Sequence, residues 1–103
     1  RIKEILSYIR EHFTEKITLD EIAKHLHLST NECCQFFKKN MNCTLFEYIT
    51  EYRLSKSMEL LEHTDLPVSQ IAYESGFGSS SYFIEKFRKN VGMTPAAFRK
   101  AGR

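Results

Sequence analysis

Five side chains that can ligate a metal, His25, His27, Cys33, Cys34 and Cys43, crowd into one stretch of this chain. A zinc site would need thiolates or imidazoles converging from paired positions, commonly two cysteines separated by two residues. No such pair occurs here, and a helix through Cys33 and Cys34 turns one inward and the other outward. No metal and no cofactor is therefore expected, although an exposed Cys34 thiol in the first half of a helix could be activated for redox sensing. Nucleophilic catalysis finds no nucleophile–base arrangement. "SGFGSSS" (Ser75–Ser81) lacks the strand and the lysine of a phosphate-binding loop, so an enzyme is not expected. What remains is hydrogen bonding and charge: carboxamides at Asn31 and Gln35, serines at 79–81, and the basic pairs Lys38-Lys39 and Arg88-Lys89.

The elements that must position these groups are bounded by the bulk numbers. At 103 residues, 42% hydrophobic and 27% charged, the chain has the make-up of one folded domain. It contains no apolar run of the roughly 18 residues that a membrane span requires, and no signal peptide is visible. The odd count of three cysteines fits a reducing cytoplasm better than a disulfide framework. The missing initial methionine suggests a piece of a longer protein whose partner domain lies elsewhere. Net charge is only +2, but it is uneven: residues 1–51 hold seven Lys/Arg against eight Asp/Glu, and residues 52–103 hold eight against five.

The chain also contains itself twice. Leu19, Ile22, Ala23 and Leu28 match Val68, Ile71, Ala72 and Phe77 at an offset of 49. One inserted residue at Gly78 raises the offset to 50, after which "FKKNMNCTLFEY" from Phe37 runs against "FRKNVGMTPAAF" from Phe87. Two copies are too few for a solenoid and indicate one supersecondary unit used twice.

Each copy has the pattern of helix, short turn, helix. Thr18–Glu21, Ser29–Glu32 and Thr44–Glu47 have capping-box spacing before apolar runs. The first box opens a short helix that must stop near His27. The second opens a helix burying Cys33, Phe36, Phe37 and Met41. The third opens a long helix over 45–62, about 27 Å at 1.5 Å per residue. In the second copy Pro67 precedes a helix carrying Val68, Ile71 and Ala72, and Gly76 supplies a turn with positive φ. Ser79 is the expected N-cap of a helix anchored by Phe83 and Phe87, and Thr94-Pro95 starts a last short helix. Residues 2–13 supply the first helix, with Ile2, Ile5, Leu6, Ile9 and Phe13 on one face. The expected fold is all-α, with seven helices in two helix–turn–helix subdomains, 1–44 and 63–103, joined by the linker helix 45–62.

Two short helices joined by such a turn are a DNA-reading motif, in which the second helix enters the major groove and the first braces it. Ala23 and Ala72 allow the close crossing. With Phe83 and Phe87 inward at about 100° per residue, Ser81, Ile84, Glu85 and Arg88 point outward. Their counterparts are Asn31, Cys34, Gln35 and Lys38, with Thr30 and Ser80 in the first turns. The expected base contacts are thus Thr30, Asn31, Cys34, Gln35, Ser80, Ser81, Ile84 and Glu85. Asn and Gln can bond adenine N6 and N7 together, and Ile84 can pack on a thymine methyl. The expected phosphate contacts are Lys38, Lys39, Ser79, Arg88 and Lys89. On this reading the serines of "SGFGSSS" face outward because bulk there would block the groove.

The run Ile71-Ala72, Gly76-Phe77, Ser81-Tyr82-Phe83, Phe87-Arg88, Gly92, Thr94-Pro95 and Phe98-Arg99 closely resembles the signature of the AraC/XylS family of bacterial transcription regulators. The resemblance covers the chain from about Ile2. It implies a DNA-binding domain whose two recognition helices enter successive major-groove segments about 34 Å apart. It further implies double-stranded DNA and RNA polymerase as partners, a separate sensor or receiver domain, mostly activating roles, and a cytoplasmic location on the nucleoid. The chain departs from the pattern at His27, where the family usually has glycine, at Asn42, where it favours another, and at Glu85, where it often has a basic residue. A glutamate there repels phosphate but can accept from cytosine N4. The alternative is a helical protein-interaction module with weak or non-specific DNA binding, favoured by the low net charge and by Glu85.

Overall fold

The computed structural model describes residues 1–102, and within them the chain is helical, with turns and short irregular connections. The helices are α1 (Ile2–His12), α2 (Leu19–His25), α3 (Thr30–Met41), α4 (Leu45–His63), α5 (Val68–Glu74), α6 (Ser80–Val91) and α7 (Pro95–Ala101). They fall into two compact units, residues 1–51 and 52–103. The long helix α4 contributes to both. Leu45 and Ile49 are buried in the range of the first unit, and Leu54, Ser57 and Leu61 in that of the second. Because α4 serves two cores, no single apolar stripe runs along it.

In the first unit the buried set is Ile5, Ile9, Ile17, Ile22, Ala23, Leu26, Cys33, Phe37, Leu45 and Ile49. Ile2, Leu6 and Phe13, expected on the same apolar face of α1, are only half-buried, and so are Phe36 and Met41 on α3. The second unit packs Leu54, Leu61, Ile71, Ala72, Phe77, Phe83 and Phe87 into one cluster, with Met58, Leu66, Val68, Val91 and Phe98 against it. Its aromatic rings form a chain: Phe77 to Phe83 at 5.0 Å, Phe83 to Phe87 at 5.7 Å, and Phe87 to Phe98 at 5.5 Å between centroids. The last two contacts are edge-to-face, the arrangement that ring quadrupoles favour.

Helix starts follow the caps. Ser29 and Glu32 form a complete capping box, the hydroxyl accepting from the Glu32 N–H at 3.1 Å and the carboxylate from the Ser29 N–H at 3.0 Å. Thr44 and Glu47 do the same at 3.1 and 2.8 Å. Both carboxyls are held below their ordinary value, chiefly by the backbone N–H that each accepts and then by the cap hydroxyl. Thr18 caps α2 through the Glu21 N–H, but the box there is half made. The Glu21 carboxylate instead accepts the Tyr8 hydroxyl of α1 at 3.0 Å, tying α1 to α2. A partner that arrives from another helix outcompetes the local one. Burial first, and then this bond, raise the Tyr8 pKa.

The turns are the second half of the repeat. After α2, the Leu28 N–H donates to the Ala23 carbonyl at 2.9 Å and the His27 N–H to that of Lys24 at 3.2 Å. After α5, Phe77 donates to Ala72 at 2.8 Å and Gly76 to Tyr73 at 3.0 Å. This nested pair is the Schellman arrangement, which needs a left-handed residue in its middle. Gly76 occupies that place with φ 91° and His27 with φ 58°. The substitution of histidine for glycine has left the turn intact, because αL backbone is accessible to histidine, though at a cost.

Candidate nucleic-acid interface

In each unit a short brace helix and a Schellman turn deliver the start of a longer helix, α3 or α6. Buried anchors set the rotation of these helices. Cys33 and Phe37 lock α3, while Phe83 and Phe87 lock α6, all four fully buried. At about 100° per residue this leaves Thr30, Asn31, Cys34, Gln35, Lys38 and Lys39 exposed on α3. On α6 it leaves Ser81, Ile84, Glu85, Arg88 and Lys89 exposed, and these five border one open surface hollow of about 650 Å³.

The two helices end alike. The Asn40 amide donates to the Phe36 carbonyl and the Asn90 amide to that of Lys86, each at 2.8 Å. Asn42 and Gly92, both left-handed, then close the helices with N–H bonds to Lys38 and Arg88. The cap bonds thus reach the Lys38 and Arg88 carbonyls in the last turn of each helix. Among the described residues, no hydrogen bond or ion pair occupies the Asn31, Gln35, Glu85, Arg88 or Lys89 side chains. An exposed row of polar groups with unmet hydrogen-bonding capacity is available to a ligand.

The serines divide by position. Ser79 is exposed and its hydroxyl accepts from the Tyr82 N–H at 3.2 Å, capping α6 as its place in the sequence suggested. Ser81 faces outward. Ser80 is half-buried, and Ser75 is fully buried, its hydroxyl donating to the Ile71 carbonyl at 2.6 Å. The outward-facing reading of this serine group thus needs correction. Ser75 lies at the C-cap of α5 directly under the turn, where a small side chain with an internal acceptor is what fits.

The cysteines separate as the helix register requires, with Cys33 buried, Cys34 exposed and Cys43 half-buried. Burial raises the Cys33 and Cys43 thiols above their ordinary value, favouring the uncharged form. No group of three His, Cys, Asp or Glu residues among those described is arranged to hold a metal ion. No described helix is long and apolar enough to cross a membrane.

Sequence reasoning passed over the role of Arg99. Its Nε donates to the Leu61 carbonyl and its Nη2 to that of Thr64, both at 3.2 Å, capping the end of α4 from α7. Those acceptors lie at separations of 35 and 38 residues, beyond the reach of any local pattern.

This geometry has close counterparts. A family model described as "Helix-turn-helix domain" matches residues 22–101. The C-terminal domain of the two-component response regulator yesN from Fusobacterium nucleatum superposes with a TM-score of 0.91 at 34% identity, over 94% of this chain and 95% of that one. The DNA-binding domain of AdpA, solved in complex with a target DNA, superposes with a TM-score of 0.91 at 25% identity, over 96% of this chain and 89% of that one. In sequence, the chain is 45% identical over 100 residues to YdeC, an uncharacterised HTH-type transcriptional regulator of Bacillus subtilis. This chain belongs to the AraC-type helix–turn–helix family. The match to YdeC covers 97% of this chain but 34% of YdeC, so the chain spans about a third of that relative's length. Within the family frame, α2–α3 and α5–α6 are the two helix–turn–helix units.

Proposed function

We propose that this chain is the sequence-specific DNA-binding domain of a bacterial transcription regulator, with α3 and α6 as its recognition helices. The observation that carries the reading is the pair of exposed, unengaged polar rows, each set by two fully buried anchors and preceded by the same Schellman turn. The AdpA domain, which has the same fold and is bound to DNA, supports it. Thr30, Asn31, Cys34, Gln35, Ser80, Ser81, Ile84 and Glu85 face base edges. Ser80, being half-buried, reaches least. Lys38, Lys39, Arg88 and Lys89 meet phosphates, and the Ser79 hydroxyl keeps its proton to donate while its oxygen caps α6.

The longer regulator works in the cytoplasm and carries a separate sensor or receiver domain. Its activating role runs through RNA polymerase. The shortness of the chain relative to YdeC supports the extra domain.

The test is selection of this chain against random duplexes at two salt concentrations. Two enriched sequence blocks and an affinity falling with a log–log slope of about −4, for four cationic phosphate contacts, are expected. Binding that selects no sequence would refute the reading. A flat salt response would favour the protein-interaction module, which the +2 net charge and Glu85 suggest.

A further inference from the structure

We infer that the second unit recognises a 5-methylpyrimidine, thymine in ordinary DNA, beside a base pair that presents an exocyclic amine, with Ile84 reading the methyl and Glu85 the amine. The inference rests on the DNA-reading assignment above and specifies what α6 reads.

Among the described residues, five large apolar side chains are exposed: Phe46, Tyr73, Tyr82, Ile84 and Met93. Two of them lie on α6. The Tyr82 ring is already engaged, 6.0 Å from Phe77 and 5.8 Å from the Lys86 ammonium. Ile84 is 37% exposed and borders the hollow shared with Ser81, Glu85, Arg88 and Lys89. A branched aliphatic group amid that polar row gains only if the partner offers an apolar surface there. In the major groove that surface is the C5-methyl group of thymine.

Glu85 lies at the centre of the same row, opposite the Phe83–Phe87 anchors. An ionised carboxylate only accepts hydrogen bonds. It is repelled by guanine N7 and O6 and by thymine O4, and it is matched by the cytosine N4 amine. Adenine offers its N6 amine beside the N7 acceptor, which makes it the poorer match. Arg88 and Lys89, on the same row, supply the positive charge that lets a carboxylate approach phosphate. Successive helix positions differ by about 1.5 Å along the axis and about 100° around it, so Ile84 and Glu85 address neighbouring base pairs. At the equivalent positions the first unit carries Cys34 and Gln35, and an amide both donates and accepts, as adenine requires. The two halves of the DNA site therefore differ in chemistry although the two units repeat in fold.

The test uses the duplex that this chain selects, resynthesised with each thymine in turn replaced by deoxyuridine, which removes the methyl alone. One position is expected to weaken wild-type binding about fourfold, the factor for one buried carbon of this size. The same replacement leaves Ile84→Ala unaffected. At that position a 5-methylcytosine pair should bind better than an unmethylated cytosine pair by a similar factor. Glu85→Gln is expected to change the preferred neighbouring base from cytosine to adenine by about tenfold. Indifference to uracil at every position, an equal uracil loss in Ile84→Ala, or an unchanged base preference in Glu85→Gln overturns the inference while leaving DNA reading in place. A chain that selects no sequence overturns both.

Discussion

Replacing His27 with glycine should stabilise the first unit, and the turn geometry says by how much. His27 holds φ 58° in the middle of its Schellman turn, where the second unit has Gly76 at φ 91°. Left-handed backbone costs an L-residue about 1–2 kcal/mol. Glycine removes that strain but adds disorder to the unfolded chain, which offsets about 0.4–1 kcal/mol. The imidazole is exposed, so its loss sacrifices little packing. The net expectation for His27→Gly is a gain centred on about 0.8 kcal/mol and no larger than about 1.6 kcal/mol, by the difference of these two terms. For a domain of this size that raises the melting temperature by roughly 2–6 °C. Gly76→Ala should show the opposite sign with a similar size, and Gly76→Val a larger loss, because a β-branched side chain fits left-handed backbone worst. Circular dichroism melts give the shift, and amide exchange at Leu28 and Phe77 shows whether the turn itself has tightened or loosened. A His27→Gly variant less stable than the parent would refute the reasoning and would mean that the imidazole contributes more than the backbone strain removes.

Other expectations are equally direct. Gln35→Ala should cost about 1–3 kcal/mol on the preferred duplex and relax one base position; equal losses on every sequence would show that Gln35 does not read a base. Lys38→Ala should weaken all sequences alike and reduce the salt slope by about one, as titration across salt concentrations would reveal. Arg99→Ala should destabilise the second unit by about 2 kcal/mol in urea unfolding, through the two hydrogen bonds it removes. Arg99→Lys should recover only part of this, because an ammonium lacks the planar fork. The lowered Glu32 and Glu47 carboxyls contribute stability that is fully present above their ordinary value of 4.5 and is lost as pH falls through their folded values. Melting temperature should therefore drop below about pH 4.5, and less steeply in Glu32→Gln with Glu47→Gln; an unchanged slope would exclude the two boxes as its source.

Much of this protein was legible in its sequence because the deciding interactions are local. An N-cap and its glutamate sit three residues apart, a helix face repeats every three or four, and a left-handed turn residue announces itself as glycine or a tolerant substitute. Hence the Ser29–Glu32 and Thr44–Glu47 boxes, the anchors Phe37, Phe83 and Phe87, and the turns at His27 and Gly76 all followed from spacing. The doubling of the unit was visible for the same reason, since equal local patterns build equal local structures. Tertiary structure decided what local spacing leaves open. Glu21 has a cap within reach and also Tyr8 from another helix, and the partner that packing brought close took the carboxylate. Ser75 looks no different from its neighbours until the fold buries it at the C-cap of α5, where its hydroxyl donates to the Ile71 carbonyl. Arg99 has the same side chain as Arg88, yet one caps carbonyls 35 and 38 residues away while the other stands exposed on α6. Side-chain chemistry and spacing determined what each residue is able to do, and the packing of distant segments selected which of those possibilities it performs.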